Sequence, residues 1–216
     1  MAHTRLWFAR HGEVEARYVG AFIGRTDANL SDLGRHQGAA LAAYLEDAEL
    51  DAIVCSPRRR ALDTAAPLAK AKGLKLDVRP AFAEMDFGSW DGLFWPEIVA
   101  HAAKHNPGHA EAWQKDVMGL AAPGGESGSG FQERVAAGVE ALRSEFKGRA
   151  VAVFGHAGVS RAILACSLGL PYMQTFAFAQ DYGNLSALGW TEEEFAQLAL
   201  WNFVPGPRAA NQGDGD

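Results

Sequence analysis

The chain has 216 residues, 48% of them hydrophobic and 21% charged, which is enough to bury the core of one domain and excludes the disordered and fibrous classes. A net charge of −6 argues against broad nucleic-acid binding, and no apolar run near the N-terminus is long enough for a signal peptide or a membrane span. The two cysteines lack metal-binding spacing and are expected to be free thiols of a cytoplasmic protein.

Strand and helix patterns alternate in the first part of the chain. The apolar run at 6–9 predicts a buried strand, and Ser31 is placed to cap a helix that extends to Leu45. The elements predicted next are a strand at 51–55, an alanine-rich helix at 58–72 and a strand at 74–78. This alternation is typical of right-handed βαβ units around a mainly parallel sheet.

Further helices and three more strands are predicted after residue 90. These elements are helices at 95–104 and 109–117, a strand at 150–154, a helix at 159–168, and strands at 187–190 and 198–203. Strands and helices in this order predict an α/β fold, a three-layer αβα sandwich with a mainly parallel central sheet.

The domain organisation follows from the same patterns. We predict one domain over residues 1–204, with a helical insertion at about 93–130 that covers the sheet edge and ends in the flexible stretch PGGESGSG. An acidic turn is expected at 192–194 between the last two strands. The tail at 205–216 has no apolar anchor and is expected to be disordered.

Polar side chains follow three of the predicted strands directly. Arg10 and His11 come after the first strand, the arginines of SPRRR after the second, and His156 after the strand at 150–154. Ligands of open α/β sheets bind at such strand ends. Two histidines with several arginines and no cluster of acids predict a pocket for a phosphate dianion and not for a metal. His101 and His105, at helical spacing, are only a weak suggestion of a metal site.

These residue types suit phosphoryl transfer. A neutral imidazole is a competent nucleophile toward phosphorus, and an arginine pairs its planar fork with phosphate oxygens while it stays charged. A carboxyl group is needed to protonate the leaving oxygen, and Glu84, after the third strand, is within reach of the same edge.

Six segments of the chain, in order, match one known family. They are RHGE at 10–13, FIGRTDANLSDLG at 22–34, SPRRRA with TA at 56–65, FAEMDFGSWDG at 82–92, PGGES at 123–127 and GHAG at 155–158. In these segments the chain resembles the histidine phosphatase superfamily, also called phosphoglycerate-mutase-like, from about residue 5 to about residue 190.

The resemblance implies a phosphoglycerate-mutase-like fold, a small phosphorylated substrate and roles for particular residues. It implies that His11 is phosphorylated, that Arg10, Arg60 and His156 hold the phosphate, and that Glu84 donates and takes back a proton. Backbone amides at Gly24 and Ala157 would add hydrogen-bond donors. No cofactor or metal is implied, and members are monomers or homodimers.

Some residues depart from the family pattern, and the roles of others can be interpreted in two ways. Arg17 stands where many members have Asn, and it could add a contact to an anion. Arg59 is interpreted as solvent-facing, whereas Arg58 is undecided. The aromatic residues at 87–113 are expected to fill the core more often than to contact substrate, by about two to one.

Three functions are compatible with these residues. A phosphatase for small phosphomonoesters ranks first, since the chain is similar to the alpha-ribazole phosphatases and fructose-2,6-bisphosphatases of the superfamily. A cofactor-dependent phosphoglycerate mutase ranks lower, because mutases hold the substrate carboxylate with arginines of the insertion and this chain has none between Arg79 and Arg134. A non-catalytic relative ranks last, because all five reactive residues are present.

Overall fold

A computed structural model of the chain describes residues 4–191 and 195–206. The strands in this part of the chain are β1 (Thr4–Arg10), β2 (Ala52–Cys55), β3 (Leu76–Val78), β4 (Ala150–Gly155), β5 (Leu185–Trp190) and β6 (Ala196–Phe203). The α-helices are α1 (Asp32–Leu45), α2 (Arg59–Lys72), α3 (Trp95–His105), α4 (His109–Lys115), α5 (Gly128–Glu145) and α6 (Ala157–Leu168). Short 3₁₀ helices lie at Ala16–Tyr18, Pro80–Phe82, Gly88–Trp90 and Tyr172–Ala177.

The strands form one mixed sheet in the order β3-β2-β4-β1-β5-β6. The first four strands in this order are parallel to one another, and β5 pairs antiparallel with both β1 and β6. In the β1–β4 register Arg10 lies opposite Gly155. The residues that follow these strands, His11 and His156, are therefore adjacent at one edge of the sheet. The predicted α/β class and mainly parallel sheet are confirmed.

Helices cover both faces of the sheet, because successive strand residues point to opposite sides. Phe8 packs in one apolar cluster with side chains of α5 and α6, such as Val135 and Ile163. Ala9, the next residue, packs in the other cluster with α1 and α2. A strand buried on both faces reads as a continuous apolar run, which is the pattern that identified β1 in the sequence.

Helix α5 was not predicted from the sequence, and it differs from the expectation of a flexible stretch up to Gly130. Its first turn begins at Gly128, and the Ser127 hydroxyl caps it by accepting a hydrogen bond from the Gly130 amide at 3.2 Å. Its buried side chains include Phe131 and Val135 at helical spacing. The serine cap and the burial of these apolar side chains together offset the low helix propensity of the two glycines in the first turn.

Two predicted features fall on other parts of the chain. The acidic turn at 192–194, and the expected disordered tail from residue 207 onward, lie outside the described residues. Within the described part, no helix is long and apolar enough to cross a membrane.

Candidate active site

His11 directly follows β1 and is 4% exposed. Its backbone amide donates to the carbonyl of Gly155 at 3.0 Å, so the β1–β4 ladder fixes the position of the residue. Its ring atom Nδ1 lies 2.7 Å from the carbonyl oxygen of Gly12. Because a carbonyl oxygen only accepts, the ring hydrogen is assigned to Nδ1. Nε2 therefore carries the lone pair that a nucleophile needs.

The surroundings of His11 keep its imidazole neutral. Burial is the largest cause and lowers the pKa of His11 well below its ordinary value, and the positive charges of Arg60 and Arg10 lower it further. The hydrogen bond to Gly12 acts in the opposite sense and is weaker.

The turn after His11 depends on a residue without a side chain. A Cβ on Gly12 would lie 2.3 Å from the carbonyl oxygen of Gly34 in α1. The Gly12 amide also donates to Thr64 Oγ1 of α2 at 3.0 Å. The segment that carries His11 is thus packed directly between the two helices on this face of the sheet.

Arg60, in the first turn of α2, is fully buried. Its guanidinium donates to three carbonyl oxygens of one loop, those of Thr26 at 2.7 Å, Ile23 at 2.9 Å and Gly24 at 3.2 Å. Burial lowers the pKa of Arg60 to about 10, so it stays charged at neutral pH. Its Nε is buried and has no hydrogen-bond partner among the described residues.

Arg10, the last residue of β1, stacks on Tyr182. Its guanidinium carbon lies 3.6 Å from the centre of the Tyr182 ring, and its Nη1 donates to the Gln180 carbonyl. The same tyrosine ring lies 5.6 Å from the ring of His11. Tyr182 was not predicted from the sequence, because nothing near residue 182 marks the turn before β5 as part of the site.

His156 lies beside His11 with their ring centres 5.3 Å apart, and it is fully buried. Its Nε2 is 2.7 Å from the hydroxyl oxygen of Ser56, the residue after β2. Since that oxygen accepts from the Arg58 amide, its hydrogen is available to His156 Nε2. This assignment puts the ring hydrogen on Nδ1, which is buried without a partner in the described chain. Burial, followed by Arg60, lowers the pKa of His156 well below its ordinary value.

Glu84 lies at the N-terminus of α6, which begins at Ala157. Its two carboxylate oxygens accept from backbone amides, Oε1 from Met85 at 2.9 Å and Oε2 from Gly158 at 3.1 Å. A Cβ on Gly158 would lie 2.3 Å from Glu84 Oε1. This glycine therefore leaves the space that the carboxylate occupies.

The predicted site residue Gly24 has a different environment from the one expected. Its amide donates to Asp91 Oδ1 at 2.5 Å and is thereby occupied. The other oxygen of Asp91 accepts from the amide and the hydroxyl of Thr26, both at 2.7 Å. Asp91, which was not predicted as a site residue, thus holds the loop whose carbonyls hold Arg60.

Arg17 and Arg59 lie at the surface. Arg17 is in an exposed 3₁₀ turn, pairs with Glu15 at 3.2 Å and stacks on Tyr18. Arg59 is also exposed and lies 3.5 Å from Asp63, in agreement with its interpretation as solvent-facing.

Two adjoining cavities open at this edge of the sheet. The smaller, about 220 Å³, is lined by Arg10, His11, Glu84 and Tyr182 and is named the histidine pocket. The larger, about 580 Å³, is lined mainly by aromatic and apolar side chains and is named the aromatic cavity. Both have Phe22, Glu84, Phe87 and Ala157 in their walls.

The chain is similar in sequence to a known family and to known proteins. The model of the histidine phosphatase superfamily, branch 1, matches residues 6–203. A bifunctional protein of Mycobacterium tuberculosis is 34% identical over 200 residues, which are 92% of this chain and 54% of that protein. The chain thus spans about half the length of that relative.

Two further comparisons cover nearly the whole of both chains. An acid phosphatase of M. tuberculosis is 32% identical over 207 residues, 94% of this chain and 95% of that protein. The crystal structure of the alpha-ribazole phosphatase from Shigella flexneri superposes with a TM-score of 0.83 at 28% identity, over 93% of this chain and 96% of that chain.

Proposed function

Because this chain belongs to the histidine phosphatase superfamily, we propose that it hydrolyses small phosphomonoesters through a phosphohistidine on His11. The observation that carries the proposal is the state of this side chain, a buried neutral imidazole whose Nδ1 is bound to the Gly12 carbonyl. His11 lines a pocket that Arg10 and Glu84 also line.

In the first step, His11 Nε2 attacks phosphorus while the bond from phosphorus to the ester oxygen breaks. Glu84, in its protonated form, gives its proton to that oxygen, so the leaving group departs as an alcohol. Arg10, Arg60 and Nδ1–H of His156 bind the phosphoryl oxygens and stabilise the charge that these carry in the transition state. The Ala157 amide, at the N-terminus of α6, is a further donor to the same oxygens.

In the second step, water attacks the phosphohistidine and the N–P bond breaks. The Glu84 carboxylate takes the proton from that water and regains its starting state, and inorganic phosphate leaves. Nδ1–H of His11 keeps its bond to the Gly12 carbonyl throughout, so the imidazole returns as the same neutral tautomer. No residue of this scheme needs a metal or a cofactor.

A mutase is less well supported than a hydrolase. The residues that α3, α4 and the segment after them contribute to the aromatic cavity are Trp95, Trp113, Gln114 and Val117, and none is cationic. In mutases of this superfamily, arginines of this insertion hold the carboxylate of the phosphoglycerate.

The test is phosphate release in EDTA by wild type, His11→Ala and, as a matched control, His36→Ala on the exposed side of α1. The panel contains alpha-ribazole 5′-phosphate, fructose 2,6-bisphosphate and 3-phosphoglycerate. We expect wild type and His36→Ala to be active with EDTA, and His11→Ala to lose about 10⁴-fold or more in kcat. Acid-labile ³²P on wild type, absent from His11→Ala, would identify the intermediate. Unchanged activity of His11→Ala would refute the proposal.

A further inference from the structure

The aromatic cavity assigns a substrate class to the proposed phosphatase. We propose that this cavity binds the alcohol part of the substrate, and that the preferred phosphomonoester carries a bulky aromatic group together with an anionic group that reaches Arg161. This inference rests on the proposed function, because it takes the histidine pocket as the phosphate site.

The position of Glu84 sets the direction in which the alcohol extends. Glu84 lines both cavities, with His11 on the side of the histidine pocket only. A phosphate on His11 puts the ester oxygen next to the Glu84 carboxyl group that protonates it. The rest of the alcohol then continues past Glu84 into the aromatic cavity, which is more than twice as large as the pocket.

One wall of the cavity is a cluster of aromatic rings centred on Phe22. Its ring centre lies 5.2 Å from that of Phe87, 6.0 Å from Trp113 and 6.2 Å from Trp95. These contacts hold the rings in fixed orientations, so the wall presents preformed apolar surface to a ligand.

Another part of the wall comes from the 3₁₀ helix Tyr172–Ala177. Its apolar side chains Met173 and Phe176 line the cavity and remain 46% and 52% exposed. Large apolar side chains exposed together at the mouth of a cavity mark a binding surface, since burial of that surface by a ligand is favourable.

Arg161 is the one arginine that the described chain places in the wall of the aromatic cavity. Its guanidinium makes two long hydrogen bonds, 3.3 Å to the Phe178 carbonyl and 3.5 Å to the Ala157 carbonyl, and lies 4.8 Å from the Phe176 ring centre. Its Nε is buried without a partner, and no salt bridge to it is present in the described part of the chain. A half-buried cation with such weak partners is a site for an anionic group.

The same walls disfavour small polyols. Apart from Glu84 and Arg161, Gln114 is the only residue with a polar side chain, other than the aromatic ones, that lines the cavity in the described chain. The hydroxyls of glycerol or a sugar would lose water there without gaining enough hydrogen bonds, which is unfavourable.

The first test compares two esters of primary alcohols, 3-phenylpropyl phosphate and glycerol 3-phosphate, in which leaving-group chemistry is similar. We expect wild type to show at least about tenfold higher kcat/KM for the phenyl ester. Phe176→Ala and Met173→Ala should each reduce that preference, while Phe195→Ala, an exposed phenylalanine outside the cavity, should keep it.

The outcomes separate this inference from the proposed function. Equal kcat/KM for both esters, or a preference that persists in both cavity variants, would overturn the assignment of the cavity while the phosphatase stands. No hydrolysis of either ester, with no labelled phosphohistidine, would overturn both.

The second test adds a carboxylate to the phenyl ring of the same ester and uses Arg161→Met. Wild type should prefer the carboxylated ester by about tenfold, and Arg161→Met should lose that preference but still cleave the uncharged ester. Arg35→Met, which removes an exposed arginine of α1, is the control and should behave as wild type. A wild type that does not distinguish the two esters would overturn the role of Arg161.

Discussion

The histidine pocket and the aromatic cavity are built in different ways. In the pocket, the side chains of Arg10 and Glu84 and the ring of His11 each hydrogen-bond to backbone groups. The walls of the cavity are held by ring contacts around Phe22 and by half-exposed side chains such as Phe176. The hydrogen bonds of the pocket fix the positions of polar atoms, whereas the ring contacts of the cavity fix only the shape of an apolar surface.

This difference matches the two parts of a phosphomonoester. Every such substrate has the same phosphoryl group, for which fixed donors are effective because the transition-state charges always develop in one place. The alcohol varies, and an apolar wall distinguishes alcohols by size and by the polar groups that they bury. Changes in the pocket should therefore affect all substrates alike, and changes in the cavity should affect only some.

The largest loss of kcat is expected from a change at Glu84, which lines both the histidine pocket and the aromatic cavity. Glu84→Gln removes the proton donor, and we expect kcat for an alkyl phosphate to fall by about 10²- to 10⁴-fold. A nitrophenyl phosphate, whose leaving group needs no proton, should lose much less. The measurement is kcat for both esters in both proteins. Equal losses on the two esters would mean that Glu84 does not act as the acid.

A smaller loss of kcat is expected when the Glu84 carboxylate is displaced but not removed. Gly158→Ala brings a methyl group to within 2.3 Å of the position that Glu84 Oε1 occupies, so the carboxylate has to move. Because the carboxyl group is displaced but still present, we expect kcat to fall by about tenfold to a hundredfold. Gly130→Ala, near the start of α5 with 3.4 Å to its nearest neighbour, is the matched control and should keep full activity. Similar losses in both variants would contradict the prediction.

The sequence predicted the proximity of the two histidines better than it predicted the aromatic cavity. His11, Arg60 and His156 directly follow strands or begin helices, so recognition of β1, β2 and β4 was enough to bring them together. Their proposed roles come from the residue types and from the resemblance to one family.

The remaining parts of the site come from long-range packing. Tyr182 reaches Arg10 only because β5 pairs with β1, and Asp91 acts through a loop more than sixty residues before it. Of the aromatic residues weighed as core or contact, Trp90 is wholly buried and Phe87 lines both cavities. Local patterns do not distinguish these cases, since both are apolar and lie close in sequence.

The neutral state of His11 can be tested through the pH dependence of the free energy of unfolding. Its pKa is lowered in the folded protein, so below about pH 6.5 the unfolded chain binds more protons, and stability falls as the pH is lowered. His11 alone should contribute a loss of about 1.4 kcal/mol between about pH 7.5 and about pH 5.5. Urea unfolding of wild type and His11→Ala at both pH values measures this loss of stability. Identical pH dependence in the two proteins would show that folding does not lower the pKa of His11.

The smallest effect is expected at Arg17, which the sequence offered as a further contact to an anion. Its side chain is 68% exposed, pairs with Glu15 and lines neither cavity. An exposed ion pair contributes little, so Arg17→Ala should change kcat/KM by less than about twofold for alkyl phosphates of any size. Steady-state kinetics at low and high salt would check this, because a distant cation that attracts the phosphate would show a loss at low salt only. A tenfold or greater loss of kcat/KM at both salt concentrations would mean that the Ala16–Tyr18 turn is part of the substrate site.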